Sequence, residues 1–176
     1  MSTKVVTGKV RFSYANVWEP ASMEEGQDKK YSVSLIIPKD DEETVEMIES
    51  AIKSALEAGK VKFGGKIPKN FKNPLRDGDE ERPDDENYEN SYFVNAKSSE
   101  QPGIVDKNVK PILERKEFYS GCFGRASITF YAYNYSGSKG VAVGLNNLQK
   151  LEEGPNLGVG FSTPEDDFGS EEDELM

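Results

Sequence analysis

The sequence predicts a mainly β fold with one amphipathic α-helix and long loops, and three stretches predict it. Residues 127–135 alternate, with Ile128, Phe130 and Ala132 on one side of an extended chain and Thr129, Tyr131, Tyr133 and Tyr135 on the other. The turn-forming cluster 136–140 follows, and Val141, Val143 and Leu145 resume the period of two, which makes a β-hairpin. Residues 31–37 repeat the pattern with Tyr31, Val33, Leu35 and Ile37 on one side. Only residues 41–59 carry a long helical period.

Taken in order, residues 4–14 are rich in β-branched and aromatic residues and read as a first strand. Val6, Gly8, Val10, Phe12 and Tyr14 share one parity, while Val5, Lys9 and Arg11 share the other, so a basic pair stands beside aromatic residues. Residues 16–30 read as a long loop with an acidic tip at Glu24, Glu25 and Asp28; Trp18 in it is a buried anchor or, alternatively, a base-stacking ring. After the strand at 31–37, Pro38 ends the run. Asp40 or Asp41 then caps a helix whose Val45, Ile48, Ile52, Ala55 and Leu56 form one apolar face, and Gly59 stops it.

Residues 60–76 hold Lys60, Lys62, Lys66, Lys69, Lys72 and Arg76 without one acid, interleaved with Phe63 and Phe71. Cations neutralise phosphates and rings accept bases, so the mixture suits a single-strand binding groove; equally, it suits a solvated loop pinned to the body by its Phe residues. Residues 77–89 reverse the charge, with eight acids against Arg82. Such carboxylates could hold Mg²⁺. Asp77 and Asp79 also suit turn chemistry, fixing the loop through hydrogen bonds to nearby backbone. A short strand is expected at 91–97, an irregular stretch with Lys107, Lys110, Arg115 and Lys116 at 98–121, and a helical turn near 146–153. Gly158 and Gly160 give only a weak phosphate-loop signal.

The bulk composition narrows function further. In 176 residues there are 35% hydrophobic and 31% charged residues, a lean core with much loop. No apolar run is long enough for a membrane span, and the first residues lack the apolar core of a signal peptide. The single cysteine, Cys122, excludes an internal disulfide and fits a reducing cytoplasm. The absence of histidine removes the commonest general base, the Ser/His and Cys/His nucleophile pairs and most zinc sites. No cofactor or resident metal is indicated. Of the net charge of −10, residues 162–176 alone carry −7, which leaves −3 on residues 1–161. By composition that segment is a disordered acidic tail, with Glu165, Asp166, Asp167, Phe168, Glu171, Glu172, Asp173 and Glu174 available to partners. The chain divides into a body at 1–161 and this tail at 162–176.

The tyrosine row of the hairpin has two readings at this level: cross-strand packing, or a stacking platform that accepts any base. An ordered series of motifs bears on the choice. YSVSLIIPK at 31–39, RDGD at 76–79, NAK at 95–97, Pro102 with Val105-Asp106, YSGC at 119–122, and YAY at 131–133 leading into GVAVGL at 140–145 together resemble a family of tailed-bacteriophage single-stranded DNA-binding proteins. The resemblance spans about residues 4–161. It implies an OB-fold barrel that binds single-stranded DNA with little sequence preference in replication or recombination, in the cytoplasm of a bacterial host. It also implies an acidic tail that recruits phage or host replication and recombination proteins and competes for the DNA groove. An OB-fold usually places its helix after three strands, whereas two are evident before Asp41. Either the first strand breaks in two, near Asn16, or the barrel is elaborated.

Together these readings nominate Tyr131, Tyr133, Tyr14 and Phe12 for stacking, and Lys9, Arg11, Lys62, Lys66, Lys69, Lys72 and Arg125 for phosphate contacts. Two other classes remain in view: a metal-dependent nuclease using Asp77, Asp79, Glu80 and Asp84, and an adaptor that binds only proteins. Exposed edge strands would be covered in a homodimer.

Overall fold

Strands β7 (Phe123–Tyr135) and β8 (Ser138–Glu152) form the expected hairpin, but it is longer than the alternation alone indicates. Ser136 at φ 50° and Gly137 at φ 86° supply the two positive φ values of a tight turn whose twist matches the strands. The expected helical turn at 146–153 is instead the far half of β8. A bulge between the Ser127–Asn147 and Ile128–Leu145 pairs inserts one residue, so buried Leu145 and Leu148 stand three apart and imitate a helical period.

The computed structural model describes residues 3–22 and 28–157. Its other strands are β1 (Lys4–Val6), β2 (Val10–Ala21), β3 (Lys30–Pro38), β4 (Arg76–Asp77), β5 (Ser91–Ser98) and β6 (Gly103–Val105). Strands β2, β3, β5, β8 and β7 are neighbours in that order, and β7 returns to β2 through Val10–Gly124 and Arg11–Phe123, which closes a barrel. All its pairings are antiparallel except β5 with β8. At the β7–β8 crossing, a Cβ on Gly124 would lie 1.8 Å from the Gln149 carbonyl oxygen, so only glycine fits.

The first strand does break in two, at Thr7–Lys9 rather than near Asn16. There the Gly8 amide donates to Thr44 Oγ1 at 3.0 Å and the Ala126 amide donates to Thr7 Oγ1 at 3.0 Å. What lies between Ser13 and Asn16 is a register shift, and the strand continues to Ala21, so the first part of the expected 16–30 loop is sheet. Trp18 is half-buried against the core and donates from Nε1 to the Phe118 carbonyl at 2.9 Å, the anchoring role.

Helix α1 (Glu42–Ala58) is capped by Asp41, which accepts from the Thr44 amide at 3.2 Å, and it ends at Gly59. Its face of Val45, Ile48, Ala51, Ile52, Ala55 and Leu56 packs on β7. A second helix, α2 (Gly78–Glu81), is a single turn. The core fills the barrel with Phe12, Leu35, Ile37, Val94, Phe118, Ile128 and Phe130. A small second cluster, Ile36, Tyr88 and Phe93, lies on the outer side of β3 and β5 beneath the acidic loop. No helix among the described residues is long and apolar enough to cross a membrane.

Candidate nucleic-acid interface

Strands β5 and β8 meet at a single register position, Lys97 with Gly144. The basic segment closes the gap beside it. At one end Lys72 pairs with β8, its amide donating to the Lys139 carbonyl at 3.0 Å and its carbonyl accepting from Val141 at 3.2 Å. At the other end Arg76 pairs with Phe93 of β5. The groove this leaves, of about 790 Å³, is lined by Lys30, Lys72, Arg76, Asn95, Lys97, Tyr131 and Tyr133 over a floor of residues 141–146. No carboxylate lines it.

Period-two geometry places the tyrosines here. Tyr131 and Tyr133 face outward while Phe130 and Ala132 face the core. Tyr131 is 49% exposed, and its ring lies 3.7 Å from where a Cβ on Gly144 would stand. Tyr133 is half-buried; a Cβ on Gly140 would come within 2.8 Å of both its hydroxyl and Lys72 Cβ. The Tyr131 ring and the Tyr133 hydroxyl each lie against a position without a side chain, which leaves room for them. Lys30, Lys72 and Lys97 carry no ion pair among the described residues, whereas Arg76 pairs with Glu81, its Nε donating at 2.7 Å.

The groove thus brings together Tyr131, Tyr133 and Lys72 of the nominated residues. Phe12 is a correction: it is fully buried, with its ring centroid 4.8 Å from that of Phe118, and offers no face to a ligand. Tyr14 is exposed on the outer side of β2 but does not line the groove. Arg11 is spent on structure. Its Nε donates to the Gly121 carbonyl at 3.1 Å, Nη1 to Asn87 Oδ1 at 3.1 Å and Nη2 to the Pro155 carbonyl at 3.0 Å. Lys9 pairs with Glu152 at 3.1 Å, and Arg125 Nε donates to the Thr7 carbonyl at 2.9 Å, both toward the end of β7 away from the hairpin turn. Lys62 donates to the Ala132 carbonyl at 3.0 Å, and Lys66 and Lys69 are exposed outside the groove. Phe63 is buried and Phe71 packs on the core, so these two rings pin the basic segment. Of the groove residues, Lys30, Asn95 and Lys97 are not among those the sequence nominates, and Arg76 enters there only as a member of the basic segment 60–76. Parity in β5 carries the signal for two of them, since Asn95 and Lys97 alternate with buried Val94 and Ala96.

The acidic loop forms a clasp. Asp77 and Asp79 converge on Lys39 Nζ at 2.9 and 2.8 Å, and their other contacts are backbone: Asp77 accepts from the Asp79 amide and Asp79 from the Asn90 amide, each at 2.9 Å. That is the turn-fixing role. Glu80 and Asp84 are exposed, and no group of three or more acids or cysteines able to hold a metal occurs among the described residues. The Lys39 ammonium, by hydrogen bonding first, holds both carboxyls below the ordinary 3.8, and is itself raised by them. A depressed carboxyl contributes stability that is present above its unfolded value and lost as pH falls through its folded value. Thermal melts should therefore show an acid decline, beginning at about pH 4, that is shallower in Lys39→Met than in the wild type. Superimposable acid limbs would mean that the clasp contributes nothing.

The tail residues Glu165, Asp166, Asp167, Phe168, Glu171, Glu172, Asp173 and Glu174, and the Gly158–Gly160 pair, lie outside the described residues.

A family model described as Enterobacter phage Enc34, ssDNA-binding protein, matches residues 3–176. Protein p50 of Acyrthosiphon pisum secondary endosymbiont phage 1 is 30% identical over 187 residues, which cover 98% of each protein. The solved structure of the single-stranded DNA-binding protein from bacteriophage Enc34 in complex with ssDNA superposes with a TM-score of 0.80 at 22% identity, over 89% of this chain and 90% of that one. The single-stranded DNA-binding protein gp2.5 of bacteriophage T7 does so at 0.59 and 16% identity, over 92% and 98%. The matching family and both solved structures are described as single-stranded DNA-binding proteins, which are not enzymes, so the nuclease reading falls. The chain belongs to the phage single-stranded DNA-binding protein family of Enterobacter phage Enc34.

Proposed function

We propose that this protein binds single-stranded DNA, with little sequence preference, in the groove between β5 and β8 during phage replication or recombination in the host cytoplasm. One observation carries the reading: on a chain of net charge −10, a groove lined by four cations and two tyrosines holds no carboxylate. Tyr131 and Tyr133 stack bases, and Lys30, Lys72, Arg76 and Lys97 neutralise phosphates. Lys62, Lys66 and Lys69 on the adjoining segment add to the positive field that draws the strand in. Residues 1–161 form the binding body. The acidic segment 162–176 competes for the groove by charge and offers Phe168 and its carboxylates to replication or recombination proteins.

Anisotropy titration of labelled oligothymidine at two salt concentrations, with matched duplex as control, tests this. Single-strand preference is expected, with log K falling against log salt at a slope of about −2 to −3 if each groove cation releases about 0.7 counterion. Removing residues 162–176 should tighten binding, most at low salt where screening is weak. No binding at low salt would refute the assignment in favour of a protein-only adaptor, and equal affinity with and without the segment would sink self-masking alone.

A further inference from the structure

Arg82 is the one cation among eight acids in residues 77–89, yet it forms no ion pair with any of them. Its guanidinium lies instead among three rings, 5.5 Å from the centroid of Tyr14 and 4.9 Å from those of Tyr88 and Phe93. Its Nε is buried without a hydrogen-bond partner. Of those acids, Asp77 and Asp79 hold Lys39, Glu81 holds Arg76 and Asp85 accepts from Asn87, while Glu80, Asp84, Glu86 and Glu89 are exposed to solvent. The loop thus leaves without a contact ion pair a positive group whose orientation the rings restrict. A planar guanidinium fixed in this way is preorganised for a phosphate, because little side-chain freedom remains to be lost.

Its partner ring is also unusual. Tyr14 has φ 47° at the register shift in β2, a conformation that a bulky residue adopts only under constraint, and it is 41% exposed. The pair adjoins the groove by two routes. Arg76, on the groove wall, and Arg82 both lie against the Phe93 ring, at 5.7 and 4.9 Å. Lys97, on the groove wall, stands opposite Ser32, which stands opposite Asn16, so small polar residues extend across two strand spacings, about 10 Å, to the neighbourhood of Tyr14.

We infer that the interface has a second subsite outside the groove, in which Arg82 takes a phosphate and Tyr14 takes a base of the same single strand. This rests on the groove reading above and extends its footprint. The test uses the full-length chain and oligothymidines of about 4 and about 16 nucleotides, the range that one such barrel covers. Arg82→Gln should bind the short oligomer as the wild type does and the long one about tenfold more weakly, with a salt slope smaller by about 0.7. Tyr14→Asn, which keeps a residue tolerant of positive φ, should lose affinity for the long oligomer alone, with the slope unchanged. Arg82→Lys should restore the slope without the full affinity. Folding of each variant is checked by thermal melting, and if Arg82→Gln does not fold, the other two variants decide. Equal losses on both lengths, or none on the long one, overturn the second subsite and leave the groove standing. Failure of the wild type to bind either length overturns both.

Discussion

Replacing Tyr131 and Tyr133 together by Ala is expected to weaken oligothymidine binding about a hundredfold or more while leaving the protein folded. Each base stacked on a ring contributes about 1–3 kcal/mol, and two rings act on successive bases. Tyr131 should account for the larger share, because it is half exposed and its ring lies over the bare backbone of Gly144. Tyr133 is wedged by Gly140 and Lys72, so its loss also loosens the groove wall. The cost to folding stays small, within about 1 kcal/mol for Tyr131, since a half-exposed cross-strand pair contributes no more. Tyr135, 79% exposed at the hairpin tip and outside the groove, is the control: Tyr135→Ala should bind nearly as the wild type does. A folded double variant that binds at wild-type strength would place the stacking platform elsewhere.

The sequence discloses this architecture where one face of a strand is buried and the period of two is unbroken. That holds for β3, for the first part of the hairpin and, at its own period, for α1. It fails where a bulge changes the count. In β2, Val10, Phe12 and Tyr14 share a parity on paper, but the shift at Tyr14 turns its ring outward while Phe12 points into the barrel. The break at Thr7–Lys9 has the same effect upstream: Val5 is buried and Val6 exposed, the reverse of the alternation read across it. In β8 the inserted residue makes Leu145 and Leu148 look helical. The groove was partly legible because its tyrosines and Lys72 lie in the most distinctive stretches. Its other wall depends on non-local pairing, Lys72 with Gly140 and Arg76 with Phe93, which no local pattern encodes. Likewise the acids of 77–89 look like a metal site until Lys39, far away in sequence, is seen between them.

Phe12→Ala is expected to cost about 3–5 kcal/mol of folding stability, the usual loss for a fully buried phenylalanine whose cavity cannot collapse. The site is poorly able to relax. The ring is tilted against Phe118 and one edge lies 3.0 Å from where a Cβ on Gly124 would stand, so the backbone is already as close as the fold allows. Its own backbone joins β2 to the chain entering β7, the Phe12 amide donating to the Cys122 carbonyl at 3.0 Å and the Gly121 amide donating to the Phe12 carbonyl at 2.8 Å. A cavity here therefore weakens barrel closure itself, and with total stabilities of about 5–15 kcal/mol for domains the loss is a large fraction of the whole. Denaturant midpoints should shift sharply downward, while the protein that remains folded at low temperature should bind oligothymidine with unchanged affinity. That outcome is the inverse of the tyrosine pair, in which binding falls and stability holds. If Phe12→Ala instead lowered affinity with little change in midpoint, the ring would have to lie at the interface, and the register of β2 would be wrong by one residue between Val10 and Tyr14.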